Sequence, residues 1–364
     1  MTMRSRLAPV LFAMGLAGCA TAGRPAPPRA GELQAAGVAA LARGELDGAA
    51  SAFALALDYE PRLAEAHNGL GLVALRRGDD ARAEAHFRAA LALNDDLAEA
   101  HLNLAGLLMR RDADDQALAE ARAALAVDPG YGDARLLAGE LLLRRGRLAE
   151  AHAELEKACA AEPRRADARA ADALVLARLG RPVAAQEQVD AALLLDPELP
   201  AAHRAAAEIL RRAGDLPGAL REIDLALSAD PGSVGDRLTR ATLCAARGEL
   251  AEASRLLAAL VAEAPRQAEV RFVIGYVALL RGDAAAAVRG ADDALALRAH
   301  YPEARLLRAQ ALLGLARAAE AARELRAFLD EAPAELAADR ARAQLQLGRM
   351  SDGLSGPMSA QIPR

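Results

Sequence analysis

The alanines at positions 49, 83, 117, 151, 185, 219, 253, 287 and 321 stand 34 residues apart, nine times running, without one insertion or deletion. A fixed period of that length means a stack of one supersecondary unit, each copy touching only its neighbours. This overrides the two or three ordinary domains that 364 residues would suggest. Prolines at 27, 61, 129, 163, 197, 231, 265 and 333 keep the same phase, with Asp95 and Ala299 in the two gaps. Glycines at 44, 78, 146, 180, 214, 248 and 282 fall 17 residues after these points, and Asp112 and Ala316 are the exceptions. Each copy therefore has a midpoint and an end, with helix-length segments between them. Glycine supplies the left-handed turn that stops the first helix, and proline cannot continue the second. Composition agrees. Hydrophobic residues make up 53% but aromatics only 2%, so alanine and leucine, both strong helix formers, carry the core.

With these series in register, the chain resembles the tetratricopeptide repeat family, helix–turn–helix units of the same period. With the proline at position 32, the repeats are 30–63, 64–97, 98–131, 132–165, 166–199, 200–233, 234–267, 268–301 and 302–335. The alanine series is then position 20. The small position 8 runs Gly37, Gly71, Ala105, Gly139, Ala173, Ala207, Ala241, Gly275 and Ala309. The apolar position 24 includes Phe53, Phe87, Leu155 and Ile223, and position 27 is alanine except at Leu260 and Phe328. Position 4, often Trp in the family, is Leu33 and then His or Arg. The resemblance implies an all-α superhelical solenoid, with positions 8 and 20 small where the two helices of a repeat meet. A last helix must cover the open end, and residues 336–349 fit, with Leu336, Ala341 and Leu345 toward the stack. Residues 350–364 read as a disordered tail and 19–29 as a short tether.

Residues 1–18 do not belong to the repeat. Arg4 and Arg6 precede a short apolar run from Leu7 to Gly15, which is too short to span a bilayer. Leu16-Ala17-Gly18-Cys19 follows, and the whole resembles a bacterial lipoprotein signal peptide. That resemblance implies cleavage before Cys19, lipidation of Cys19 and anchorage by several acyl chains, which hold where one chain is marginal. Ala20, in place of the Asp that commonly retains such proteins at the inner membrane, points to the outer membrane. Loss of Arg4 and Arg6 takes the formal charge from −5 to −7. An acidic, exported chain is a poor nucleic-acid binder. Cys159 and Cys244 lie in repeats that are not adjacent, at positions mostly apolar elsewhere, and read as buried, inert thiols.

Three features invite a chemical reading. His67, His101 and His203 share position 4, but no carboxylate or cysteine recurs with them at ligand spacing, so they read as packing residues and no metal or other cofactor is implied. Arg76, Arg110, Arg144, Arg178 and Arg212 recur at position 13. They either offer a basic stripe to an acidic partner or complement the helix dipole, as the position-2 acids do at the other end; the paired stripes favour the second. Phe272 and Tyr276 are four residues apart and share a helix face. In the family, positions 2, 5, 9 and 12 line the concave wall, which here gives Glu269, Phe272, Tyr276 and Leu279 as a partner-binding groove. The alternative is that the rings pack between repeats. The family's grip on a C-terminal carboxylate is matched only by Asn103 among Asn68, Leu72, Asn103, Asp133 and Leu137. No nucleophile elbow, zinc-protease motif or phosphate loop occurs. The reading is a non-catalytic, lipid-anchored scaffold facing the periplasm, holding envelope proteins or peptides. Secretin and type IV pilus assembly, polysaccharide export, and outer-membrane or peptidoglycan machinery are the settings the resemblance implies.

Overall fold

The computed structural model describes residues 28–332 and 336–351, and every regular element among them is helical. Cys19, the leader before it and the end of the tail lie outside these residues. The described chain divides at Gly180 into two compact bodies. The first holds α1 (Pro28–Ala42), α2 (Leu46–Tyr59), α3 (Ala64–Arg76), α4 (Asp80–Leu93) and α5 (Ala98–Arg110). It continues with α6 (Asp114–Val127), α7 (Gly132–Arg144), α8 (Leu148–Ala161) and α9 (Ala166–Arg178). The second holds α10 (Pro182–Leu195), α11 (Pro200–Ala213), α12 (Leu216–Ala229), α13 (Val234–Ala246) and α14 (Leu250–Glu263). It ends with α15 (Ala268–Leu280), α16 (Ala284–Leu297), α17 (Pro302–Gly314), α18 (Ala318–Glu331) and α19 (Ala337–Ser351). Two helices per repeat and one terminal helix make the all-α array expected from the period. None of the described helices is long and apolar enough to cross a membrane.

The turns follow from the glycines. Gly44, Gly78, Gly146, Gly180, Gly214, Gly248 and Gly282 all have positive φ, between 70° and 85°. After α3, the Gly78 N–H donates to Leu75 O at 3.0 Å and the Asp79 N–H to Ala74 O at 2.9 Å, the paired bonds that close a helix through a left-handed residue. The Asp79 carboxylate then caps α4 by accepting from the Arg82 N–H at 3.0 Å. Asp215 and Asp283 cap α12 and α16 in the same way. Asp112 and Ala316 take the left-handed conformation too, at φ 56° and 58°, although neither is glycine.

Packing within a repeat rests on three positions. All nine position-20 alanines have 0% exposure. Position 24 lies against position 8, and both phenylalanines at position 24, Phe53 and Phe87, stand over glycine. A Cβ added at Gly37 would stand 2.6 Å from the Phe53 ring, and one at Gly139 would stand 2.5 Å from Leu155. The Phe87 ring occupies the corresponding space over Gly71. Where position 24 is only Ala291, the helices close instead: a Cβ on Gly290 would be 2.5 Å from the Gly275 Cα. Burial of a phenylalanine is worth about 2–3 kcal/mol, and glycine opposite is what admits it.

The terminal helix packs on α18, but not through the residues expected. Leu336 and Ala343 are buried with Leu306, Leu325 and Phe328, whereas Ala341 is exposed and Leu345 is 66% exposed. The buried stripe runs through Asp339, Ala343 and Gln346, two of them polar. The orientation is held by Arg340, whose guanidinium donates to Leu329 O at 2.7 Å and Ala332 O at 2.6 Å, the open carbonyls at the end of α18.

Candidate interaction face

In the first body, α1 touches α3, α3 touches α5, α5 touches α7 and α7 touches α9, whereas no successive pair of second helices meets to a comparable extent. In the second body α13 touches α15 and α15 touches α17. First helices therefore form the closely packed side of each body. Leu72, Met109 and Leu136, at positions 9, 12 and 5 of three successive repeats, are half-buried on that side of the first body and rest on its core. Asn103, only 3% exposed, donates its side-chain amide to Asn68 Oδ1 at 2.9 Å and so joins α5 to α3. Position 2 adds carboxylates along one edge. Glu99 and Asp133 flank Tyr131, and burial together with these charges raises its phenol above the usual range. Arg165 bridges Asp133 and Asp167.

The expected aromatic groove in the second body is different from what the structure holds. Tyr276 is 7% exposed and belongs to the core around Leu257, Val273 and Leu307. Phe272 is half-buried and packs on Tyr301, ring centroids 5.3 Å apart at 43°. Glu269 pairs with Arg298, whose guanidinium also lies 4.9 Å over the Tyr301 ring. Leu279 rests on the core as a partly buried side chain. An exposed Phe272–Tyr276 pair is thus corrected to a couple of Phe272 with Tyr301, the N-cap residue of α17, and a separate core tyrosine. In a chain so poor in aromatics, large rings go where they fill the space between hairpins. Tyr301 stands at position 34 of the same repeat, 29 residues from Phe272 and just before α17, and helix-face spacing could not bring it to notice. Burial also raises the carboxyl of Glu303 beside this cluster.

Two of the three position-4 histidines, His101 and His203, have carboxylate partners after all. His101 Nδ1 is 2.6 Å from Glu120 and its Nε2 is 3.0 Å from Asp95 O. His203 repeats this with Glu222 at 2.8 Å and Pro197 O at 3.2 Å. Arg135 with Glu154 at 2.9 Å, and Arg305 with Glu324 at 3.5 Å, occupy the same places. Position 4 therefore ties the first helix to position 23 of the second and to the carbonyl ending the previous repeat. The partner lies 19 residues on, across the hairpin, a spacing that a search for local ligand sets passes over. At one rung both members are histidine: His67 and His86 approach with Nδ1 atoms 3.3 Å apart.

Three of the position-13 arginines cross between repeats, whereas Arg212 pairs with Glu208 in its own helix. Arg110 reaches Asp80 at 3.0 Å and Arg144 reaches Asp114 at 3.1 Å, each in the first turn of the preceding second helix. Arg76 donates to Leu41 O at 2.9 Å. The helix-dipole reading gave their place but not these partners. Cys159 and Cys244 are free thiols; burial pushes Cys159 up to about 11 and raises Cys244, so both are held as unreactive thiols.

The profile of the tetratricopeptide repeat family matches residues 35–98, 102–171 and 170–234. A tetratricopeptide repeat protein from Parabacteroides merdae superposes with a TM-score of 0.55 at 17% identity, covering 68% of this chain and 98% of that one. PilW, a type IV pilus biogenesis factor, gives 0.48 at 24% identity over 58% of this chain and 97% of its own. TTC0263 from Thermus thermophilus gives 0.43 at 26% identity over 50% and 98%. No protein of curated function matches. With the profile covering more than half of the 364 residues, and paired helices in the register it requires, the chain belongs to the tetratricopeptide repeat family.

Proposed function

We propose that the protein is a lipid-anchored, non-catalytic scaffold on the periplasmic side of the bacterial outer membrane. The observation that carries the location is the N-terminal order of Arg4 and Arg6, an apolar run, and Leu16-Ala17-Gly18-Cys19. The holding role is supported by the repeat itself, since such arrays present extended faces to other polypeptides. The first-helix face of residues 28–179 combines an apolar floor with fixed polar groups, which suits peptide capture. The short stretch between Cys19 and α1 would keep captured partners near the membrane. Cys19→Ala tests the anchor: the protein should leave the membrane fraction or remain unprocessed. An unchanged membrane fraction together with an unchanged mature mass would refute it. Affinity capture from solubilised envelopes with the Cys19 protein then separates secretin assembly, polysaccharide export, and outer-membrane or peptidoglycan machinery by the partner recovered.

A further inference from the structure

The second helix of the first repeat carries an apolar face that the fold leaves open. Ala49, Phe53 and Ala56 turn α2 inward, while Leu55 and Tyr59 are each 47% exposed. Four residues apart, these two lie one above the other on a single side of the helix. They stand at positions 26 and 30, and no other repeat has a large apolar residue at both. The edge of α1 that meets no earlier hairpin is built the opposite way. Its Glu32 and Ala39, at positions 3 and 10, are exposed where every later repeat buries a residue. That end therefore offers no large apolar residue at these places to a second copy of the chain. The Arg29 guanidinium lies 5.3 Å over the Tyr59 ring, which brings the open face of α2 beside the start of α1. From Cys19 to Pro28 the chain advances nine residues, at most ~30 Å when fully extended.

We propose that the Leu55–Tyr59 face of α2 rests on the lipid surface that holds Cys19. The inference rests on the anchor reading above and adds which side of the first repeat meets the bilayer. Tyrosine favours the headgroup boundary, with its ring in the apolar layer and its hydroxyl in water, and leucine enters the same layer. Arg29 and Asp58, both exposed beside them, carry opposite charges. The contact is therefore apolar and needs no anionic headgroup, which suits a chain whose net charge is negative. Two side chains alone hold a membrane weakly. Tethered by acyl chains within that reach, they meet it at high effective concentration, and a weak contact then sets orientation.

The sequence contains no Trp, so Tyr59→Trp places a single fluorophore in the face. The lipidated mature chain is reconstituted on phosphatidylcholine vesicles whose acyl chains are brominated near the headgroup, where interfacial side chains sit, roughly 5–10 Å deep. Bromine should quench the Tyr59→Trp emission by about half or more, with a shift to the blue, and equally so in high salt. Val127→Trp, at the same position 30 two repeats on and 37% exposed, should keep its emission. Adding Leu55→Asp to Tyr59→Trp should remove most of the quenching, with flotation on the vesicles and the helical melt unchanged. Equal quenching of both reporters would overturn the assignment to the first hairpin. An unquenched Tyr59→Trp protein that still floats with the vesicles would overturn the contact and leave the anchor standing. A protein that carries no lipid and fails to float would overturn the anchor, and this inference with it.

Discussion

His67 and His86 face each other where neighbouring repeats set a cation against a carboxylate. Burial lowers both pKa values, and for His86 the nearby charges of His67 and Arg82 lower it further. A base held below its unfolded value contributes stability that is complete above that value, near 6.5, and is lost as pH falls toward the folded pKa. Melting temperature should therefore drop as pH falls from 7 to 5. His86→Glu restores a His–carboxylate rung and should reduce that drop, by on the order of 1 kcal/mol for a half-exposed pair. An unchanged pH slope in the variant would count against the rung as its source. Ala316 gives a second residue-scale test. Its φ of 58° is left-handed, which costs an L-residue roughly 1–2 kcal/mol, part of which glycine returns as greater freedom when unfolded. Ala316→Gly should raise stability by about 1 kcal/mol or somewhat less in a denaturant titration. The glycine period revealed this turn at seven sites and marked Asp112 and Ala316 as departures; that these two accept the same strained geometry needed coordinates.

At the scale of helices, the fit of position 8 to position 24 sets how closely each hairpin closes. Phe87 over Gly71 leaves no room for one methyl group. Gly71→Ala should cost about 1–3 kcal/mol through overpacking, and adding Phe87→Leu should recover part of the loss. Independent, additive losses in calorimetry would mean that the two do not share one space. Much of this level was legible in the sequence. The nine alanines fixed the register, and all are buried. What periodicity could not supply were choices made between elements. Phe272 meets Tyr301, the residue that opens α17, so the Phe272–Tyr276 spacing described a shared helix face truly and the exposure of its rings wrongly. Leu345 points outward because Arg340, fastened to the α18 carbonyls, fixes the rotation of α19 around polar Asp339 and Gln346.

Across the whole molecule, stability in each body is a sum of neighbouring contacts rather than the product of one central core. Ends should therefore fail first. Deleting residues 337–364 would uncover Leu306, Leu325 and Phe328. Hydrogen exchange should then quicken in α17 and α18 and leave α11 and α12 close to their original protection. Uniform loss of protection would argue for a body that opens as one unit. The candidate face belongs to this scale as well, since no single repeat contains it. Its carboxylates were visible in the sequence as helix-start residues, and their alignment into an edge appeared only once successive first helices were seen to touch.

That unequal contact has a mechanical side. In the first body α1, α3, α5, α7 and α9 join in succession, while successive second helices do not meet to the same extent. Each first helix thus touches both helices of the hairpin before it, while each second helix meets its neighbours only through first helices. Small rotations at every such junction add along the series, so the body yields to bending at little cost in buried surface while resisting separation of its hairpins. A scaffold would gain from that compliance, shifting the pitch of its first helices by fractions of an ångström per repeat to follow a partner that changes length.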